Sequence, residues 1–291
     1  MTLALSLITK DYIYQISDRR LTSLAPPHIA IDDEISKAII YDGSVSISYA
    51  GLGQIGVING SERVDDWIVR ILSKSPAIYW NEVAEKIRSE ATITFKKKKC
   101  SNKLKRHAFQ CVGWFKYADE NFHRAAIVTI SNAMNPNTFE WLDEAKEEFE
   151  ISEEKFYQGQ PDFAISSIGQ NLRQKEKNLV WRYMKKISMH KNTTPKNIVI
   201  SLCRVMHWLS SNYEPNRPIG KSLTVVVLPR AYAVKCDSGE GLMVLMGGSP
   251  DSDSVYTYHI SDTGLATQQF PHTVTKNGQV ITRVTFTPYN E

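Results

Sequence analysis

At 291 residues the chain exceeds a typical single domain, yet it is short enough for one sandwich or barrel core with additions. Hydrophobic residues at 42% and charged residues at 23% exclude a disordered or fibrous chain, and 35 Lys plus Arg against 31 Asp plus Glu leaves +4, too mild to imply a nucleic-acid partner by itself. Cys100, Cys111, Cys203 and Cys236 have no CxxC spacing and no histidine pairs at zinc-ligand intervals, so they read as reduced structural thiols. Lys10 and Asp11 interrupt the apolar start where a signal peptide would continue, and no run approaches the roughly 20 apolar residues that span a bilayer. A cytoplasmic protein without membrane attachment is the expectation.

In chain order, "LALSLIT" (3–9) and "YIYQISD" (12–18) carry β-branched and aromatic residues on either side of Lys10-Asp11, which predicts a hairpin. After a proline-containing loop, "KAIIYDGSVSISYAG" predicts two strands around Asp42-Gly43. Helical periodicity begins near Glu62, with Val64, Trp67, Ile68, Ile71 and Leu72 on one face, and a second helix is expected from Asn81 to about Ile93. Strands resume with "HAFQCVGWF" and "RAAIVTIS", followed by the acidic, helix-prone "WLDEAKEEFE" and the strand "DFAISSIG". Two long helices are expected over 172–190 and 195–211, the second opened by Thr194 as N-cap and Pro195 at the first helical position. "KSLTVVVLP" reads as a buried strand, and 235–291 holds turns with short strands such as "SVYTYHI" and "VITRVTF". Strands and helices therefore arrive in blocks, which argues against a doubly wound parallel sheet. An α+β class is expected, with two antiparallel sheets stacked face to face and a helix pair outside each, in four layers. Residues 1–234 would form this domain and 235–291 a β-rich extension, packed on the same core or in an assembly interface.

One constellation carries chemistry. Thr2 follows Met1 directly, Asp18, Arg20 and Thr22 fall in a D-x-R-x-T pattern, Lys37 lies in "SKAII", and Gly51 and Gly53 close "SYAGLG". In these residues and their separations the chain resembles the proteasome β-subunits and their bacterial proteasome-like relatives, which are N-terminal-nucleophile (Ntn) hydrolases. The separations from Thr2 to Asp18 and from Lys37 to Gly51 equal the family's, with one short loop insertion between them.

The resemblance implies the four-layer αββα fold, Thr2 as nucleophile once Met1 is removed, Lys37 as the active-site lysine, Asp18 as its partner and Gly51 as the oxyanion amide. It further implies Thr22 and Gly53 as partners of substrate backbone. A supporting serine is expected on a later strand, where "AISSIGQN" offers Ser166 or Ser167, with Ser167 the candidate. The family's aspartate and serine before the strand that follows the last helix are Asn216 and Ile219 here. The likeness is specific over residues 2 to 75 or so, architectural to about 228, and absent beyond.

The chemistry of these residue types is independent of the likeness. A threonine hydroxyl is a weak nucleophile at neutral pH, and an α-amine with a pKa of about 7.7–8.0 is a base suited to activating it. A nearby ammonium favours the neutral amine and stabilises negative charge on the hydroxyl oxygen, while an aspartate orients that ammonium. An amide aimed at a developing oxyanion contributes roughly 3 kcal/mol.

These readings imply a threonine peptidase or amidohydrolase acting on peptide or protein substrates, without metal or organic cofactor. A homo-oligomer, as a ring or stacked assembly, follows from the family, and an ATPase partner is left open. The alternative is a catalytically inactive proteasome-like scaffold or assembly protein, which Asn216 and Ile219 favour. A third reading makes the basic stretch Lys96–Arg106 a binding module for an acidic partner such as nucleic acid, with steep salt dependence; a solvated loop or helix end is its plainer explanation.

Overall fold

The computed structural model describes residues 2–22, 30–32, 35–42, 44–55, 62–74, 79–116, 123–136, 138, 140–156, 163–211, 219–220, 222–230, 256–260, 266–268, 273–274 and 280–281. The chain opens with strands β1 (Leu3–Thr9) and β2 (Tyr12–Asp18), then the short β3 (Leu21–Thr22) and β4 (Ala30–Asp32), and β5 (Ala38–Tyr41) and β6 (Val45–Ala50). Strands β7 (Gln54–Ile55) and β8 (Glu62–Arg63) lead into helices α1 (Val64–Lys74) and α2 (Trp80–Lys96). Next come β9 (Ala108–Lys116), β10 (His123–Ser131), β11 (Glu150–Phe156) and β12 (Phe163–Gly169), followed by α3 (Gln174–Ser188), α4 (Pro195–Ser211) and β13 (Leu223–Pro229). The last strands are β14 (Tyr256–Ile260), β15 (Ala266–Gln268), β16 (Thr273–Val274) and β17 (Val280–Ile281).

Two large sheets result. One has the order β12-β1-β2-β13-β14-β15 and the other β11-β10-β9-β6-β5-β16-β17. Their pairings are antiparallel except that of β16 with β5. Strand β1 is buried on both faces. Leu3, Leu5 and Leu7 join a core with Val180 and Met184 of α3 and Leu202 and Met206 of α4. Ile8, on the opposite face, packs with Ile40, Val112 and Ile127 from the other sheet. A third core unites β6, β9 and β10 with α1 and α2 around Trp67, Ile87, Phe95 and Phe109.

Polar residues are also buried between the sheets. The Ser6 hydroxyl donates to Gln110 Oε1 (2.7 Å), Gln15 Nε2 donates to the Gln110 carbonyl (3.0 Å), Ser46 donates to Gln15 Oε1 (2.6 Å), and Gln110 Nε2 donates to Ser166 Oγ (3.1 Å). Each bond crosses from one sheet to the other and satisfies groups that burial would otherwise penalise.

Helices follow their sequence signals closely. The Asn197 amide donates to Thr194 Oγ1 at the head of α4, and Pro195 occupies its first position. Helix α2 runs to Lys96, taking the first residue of the lysine run into its last turn. The helix-prone acidic stretch over 141–150 forms no helix. That stretch is turns and a Met134–Trp141 bridge, and Glu150 already begins β11. Its backbone amides are taken by distant acceptors: Leu142 donates to the Ala133 carbonyl, Ala145 to Asn102 and Lys146 to Asn132. A helix would also bring Glu144, Glu147 and Glu148 together at repulsive spacings.

Asp42, at φ 48°, supports the expected β5–β6 hairpin, whose Gly43 lies outside the described residues. Beyond 230, β14 extends one sheet and β16 the other; Asn216, Cys236 and most of 235–291 lie outside the described residues. No described helix is long and apolar enough to cross a membrane.

Candidate functional site

The site gathers where β1 begins, β2 ends and β5 begins. Thr2 precedes β1 and is 4% exposed. Its carbonyl accepts from the Gln170 amide at 2.9 Å, just past the end of β12. Gly169 there has φ +97°, and a β-carbon on it would run into the Thr2 carbonyl oxygen, so only glycine fits this backbone crossing. Next along the chain, the Leu3 amide donates to Asp18 Oδ1 at 2.9 Å. Both ends of the Thr2 unit are therefore tied down by neighbouring strands.

Asp18 ends β2 and is fully buried. Its Oδ2 accepts from the Arg20 amide (3.2 Å), the Gly220 amide (3.3 Å) and the Lys37 ammonium (3.2 Å). Lys37, 1% exposed, comes from the residue before β5, on the other sheet. Its Nζ donates to Thr2 Oγ1 at 2.7 Å, to Asp18 Oδ2 and to the Arg20 carbonyl at 2.5 Å. The three acceptors match the three protons of an ammonium, which makes its burial tolerable.

The arrangement has a defined chemical capacity. An ammonium donating to a hydroxyl oxygen lowers the cost of negative charge on that oxygen, leaving the hydroxyl proton for a separate base. The described side chains around Thr2 place no histidine there.

The other expected site residues divide. Gly51 follows β6 with φ +119°, where a β-carbon would strike the Arg106 carbonyl and crowd His107. Its neighbour Ala50 clusters with Ala4 of β1 and Ile168 of β12, so this turn lies at the same end of the sheets as Thr2. Gly53 lies against Leu21, and its carbonyl accepts from the Val64 amide at 3.1 Å. Thr22 pairs with Ala30 in the short β3–β4 ladder, and its side chain lies outside the described residues.

Ser167 is not brought to the threonine. It sits opposite Leu5, whose side chain faces α3 and α4, whereas the Thr2 hydroxyl points to the other sheet. Alternation along a strand separates the two faces. Ser166 takes the inter-sheet face but bonds Gln110, within the buried polar layer. Ile219 is buried in the helix-side core, next to Gly220, whose amide reaches Asp18.

Sequence reasoning missed the Leu3 and Gly220 amides and the Gly169 crossing. Backbone donors carry no side-chain signature, but a glycine closing the strand "AISSIG" was a readable sign of close backbone approach.

Behind Gly51, His107 is fully buried among Tyr49, Phe95 and Phe109, with ring centroids 6.0, 5.0 and 4.6 Å away. Burial first, then the nearby Lys98 charge, lowers its pKa to about 3, so the imidazole is neutral at ordinary pH. No group of three or more metal-ligating side chains occurs among the described residues.

No protein-family model matches the chain, and no curated protein matches its sequence. Among solved structures it is similar to eukaryotic HslV from Trypanosoma brucei, at 13% identity over 78% of this chain and 99% of that chain, with a TM-score of 0.40.

Proposed function

We propose that the chain is an N-terminal threonine hydrolase that cleaves amide bonds of peptides or proteins, working in the cytoplasm as a homo-oligomer. Its fold in this reading is the four-layer αββα sandwich of Ntn hydrolases over residues 1–234, with 235–291 as an extension. The observation that carries the proposal is the Lys37 ammonium 2.7 Å from Thr2 Oγ1, held by a fully buried Asp18.

After removal of Met1, the Thr2 α-amine takes the hydroxyl proton while Oγ1 attacks the scissile carbonyl. Lys37 stabilises charge on Oγ1, and the Gly51 amide serves the carbonyl oxygen as it becomes an oxyanion. Collapse of the tetrahedral intermediate breaks the C–N bond, and the α-ammonium returns its proton to the departing amine. An ester on Thr2 remains. Water, deprotonated by the same α-amine, hydrolyses it and restores the hydroxyl. Thr22 and Gly53 would hold substrate backbone as an added strand.

Buried, apolar Ile219 favours the second reading, an inactive scaffold, because it brings no hydroxyl to the turn before Gly220. One experiment separates the two. Intact-mass measurement on natively expressed protein should show loss of Met1, and a peptide reagent that must react with amine and hydroxyl together should label wild type but neither Thr2→Ala nor Lys37→Ala. Quantitative retention of Met1, or no labelling of a processed chain, removes the hydrolase reading and leaves the scaffold.

A further inference from the structure

The outer surface of the α3–α4 pair is chemically one-sided. Residues 174–211 contain eight Lys or Arg and one acid, Glu176. That acid is fully buried, with its carboxylate accepting from the Arg173 amide at the head of α3. Between the two helices runs an apolar groove of about 380 Å³, lined by Leu179, Val180, Tyr183, Arg204, Val205 and Trp208. Leu179 is 53% exposed, and Ile200 and Tyr183 are exposed as well. Helical spacing puts Lys175, Arg182 and Lys186 on the same face of α3 as Leu179 and Tyr183, so cations border the groove. An apolar surface this open with a rim of one sign suits an acidic partner with apolar side chains of its own.

The same chain carries such a surface. Residues 143–155 hold seven acids against two lysines, and β11 is an edge of its sheet. Ile151 is exposed on that edge. Glu150 and Glu148 are partly matched by Lys146 and Lys96, but Asp143, Glu144, Glu147 and Glu154 make no ion pair among the described residues. The acidic edge belongs to one sheet and the basic helices pack on the other, and the net charge of only +4 hides this segregation. Packing α3–α4 against its own copy would oppose cations to cations. Packing it against the acidic edge of a copy pairs opposite signs and covers an open strand.

We infer that the α3–α4 groove docks the acidic 143–155 edge of a second copy of this chain, giving a head-to-tail contact that closes into a ring or extends as a filament. The inference is independent of whether Thr2 is catalytic, since no residue of that site takes part.

Analytical ultracentrifugation of the full chain tests it. Going from about 0.05 to about 1 M salt shortens the Debye length to about 3 Å, and wild type should fall from an assembled species to the monomer. The surface variant Arg182→Glu/Lys186→Glu should be monomeric at low salt with unchanged circular dichroism, and Asp143→Lys/Glu144→Lys/Glu147→Lys likewise. Mixing the two variants restores opposite signs and should restore assembly. A wild type that stays monomeric at low salt, an acidic-edge variant that assembles normally, or a mixture that remains monomeric would each overturn the inference; the second result would point to a different acidic partner for the helices.

Discussion

With both carboxylate oxygens engaged, Asp18 ties the Leu3, Arg20 and Gly220 amides and the Lys37 ammonium to one buried charge. Its removal has two consequences, because the ammonium loses its counter-charge and the start of β1 loses an anchor. Asp18→Asn keeps the size and an acceptor for Leu3 but strands the cation. Breaking a buried pair this way costs about 3–5 kcal/mol, to be read from urea unfolding midpoints, and reagent labelling of Thr2 should fall with it.

His107 gives a prediction of a different kind. Its folded pKa of about 3 lies below the 6.5 of an unfolded histidine, so between those values the unfolded chain binds a proton that the native chain refuses. Stability therefore declines as pH drops from about 6.5 toward 3, by up to about 1.4 kcal/mol per pH unit from this group. His107→Phe suits the aromatic surroundings and should flatten that acid limb, measured as a smaller loss of urea midpoint between pH 7 and pH 4; an unchanged difference refutes it.

At this scale Thr2, Asp18 and Lys37 were legible because their separations along the chain formed a pattern. Ser167 was not, since its side of the sheet depends on pairing with Leu5, and a register step of one residue reverses every face.

At the scale of elements, local chemistry predicted best where the chain is self-sufficient. Helix α4 carries its own start signal in Thr194 and Pro195, and the Thr194 hydroxyl accepts from the Asn197 amide. Thr194→Ala should cost about 1 kcal/mol, visible as a lower thermal midpoint, while Thr194→Ser should cost little. The acidic, helix-prone stretch over 141–150 departs from its local chemistry for the opposite reason. Its composition favours a helix, but its amides are claimed by Ala133, Asn102 and Asn132, all distant in sequence from the residues that donate to them. Strand β11 was hidden by the same charges, because "EISEEKF" presents glutamates that an exposed edge can carry.

Across the whole molecule, block order along the chain foretold two sheets and helix pairs, but not which sheet each late strand joins. Strand β14 adds to β13, whereas β16 runs parallel beside β5, the strand that follows Lys37. A chain ending at residue 255 would expose an edge on both sheets and free one side of β5. Such a truncation should lower the melting temperature and promote aggregation, followed by light scattering during a thermal ramp; a variant that melts like the full chain would show the late strands to be dispensable.

Thr2 and Lys37 descend from opposite sheets, so their meeting depends on how one slab is indexed against the other. Apolar packing sets that index less tightly, since cores accept repacking and lose uniqueness before they lose stability. The glutamine and serine contacts of Ser6, Gln15, Ser46 and Gln110 fix it, acting like dowels through two boards. A chain with those dowels replaced by methyl-rich side chains would keep its shape and lose its aim.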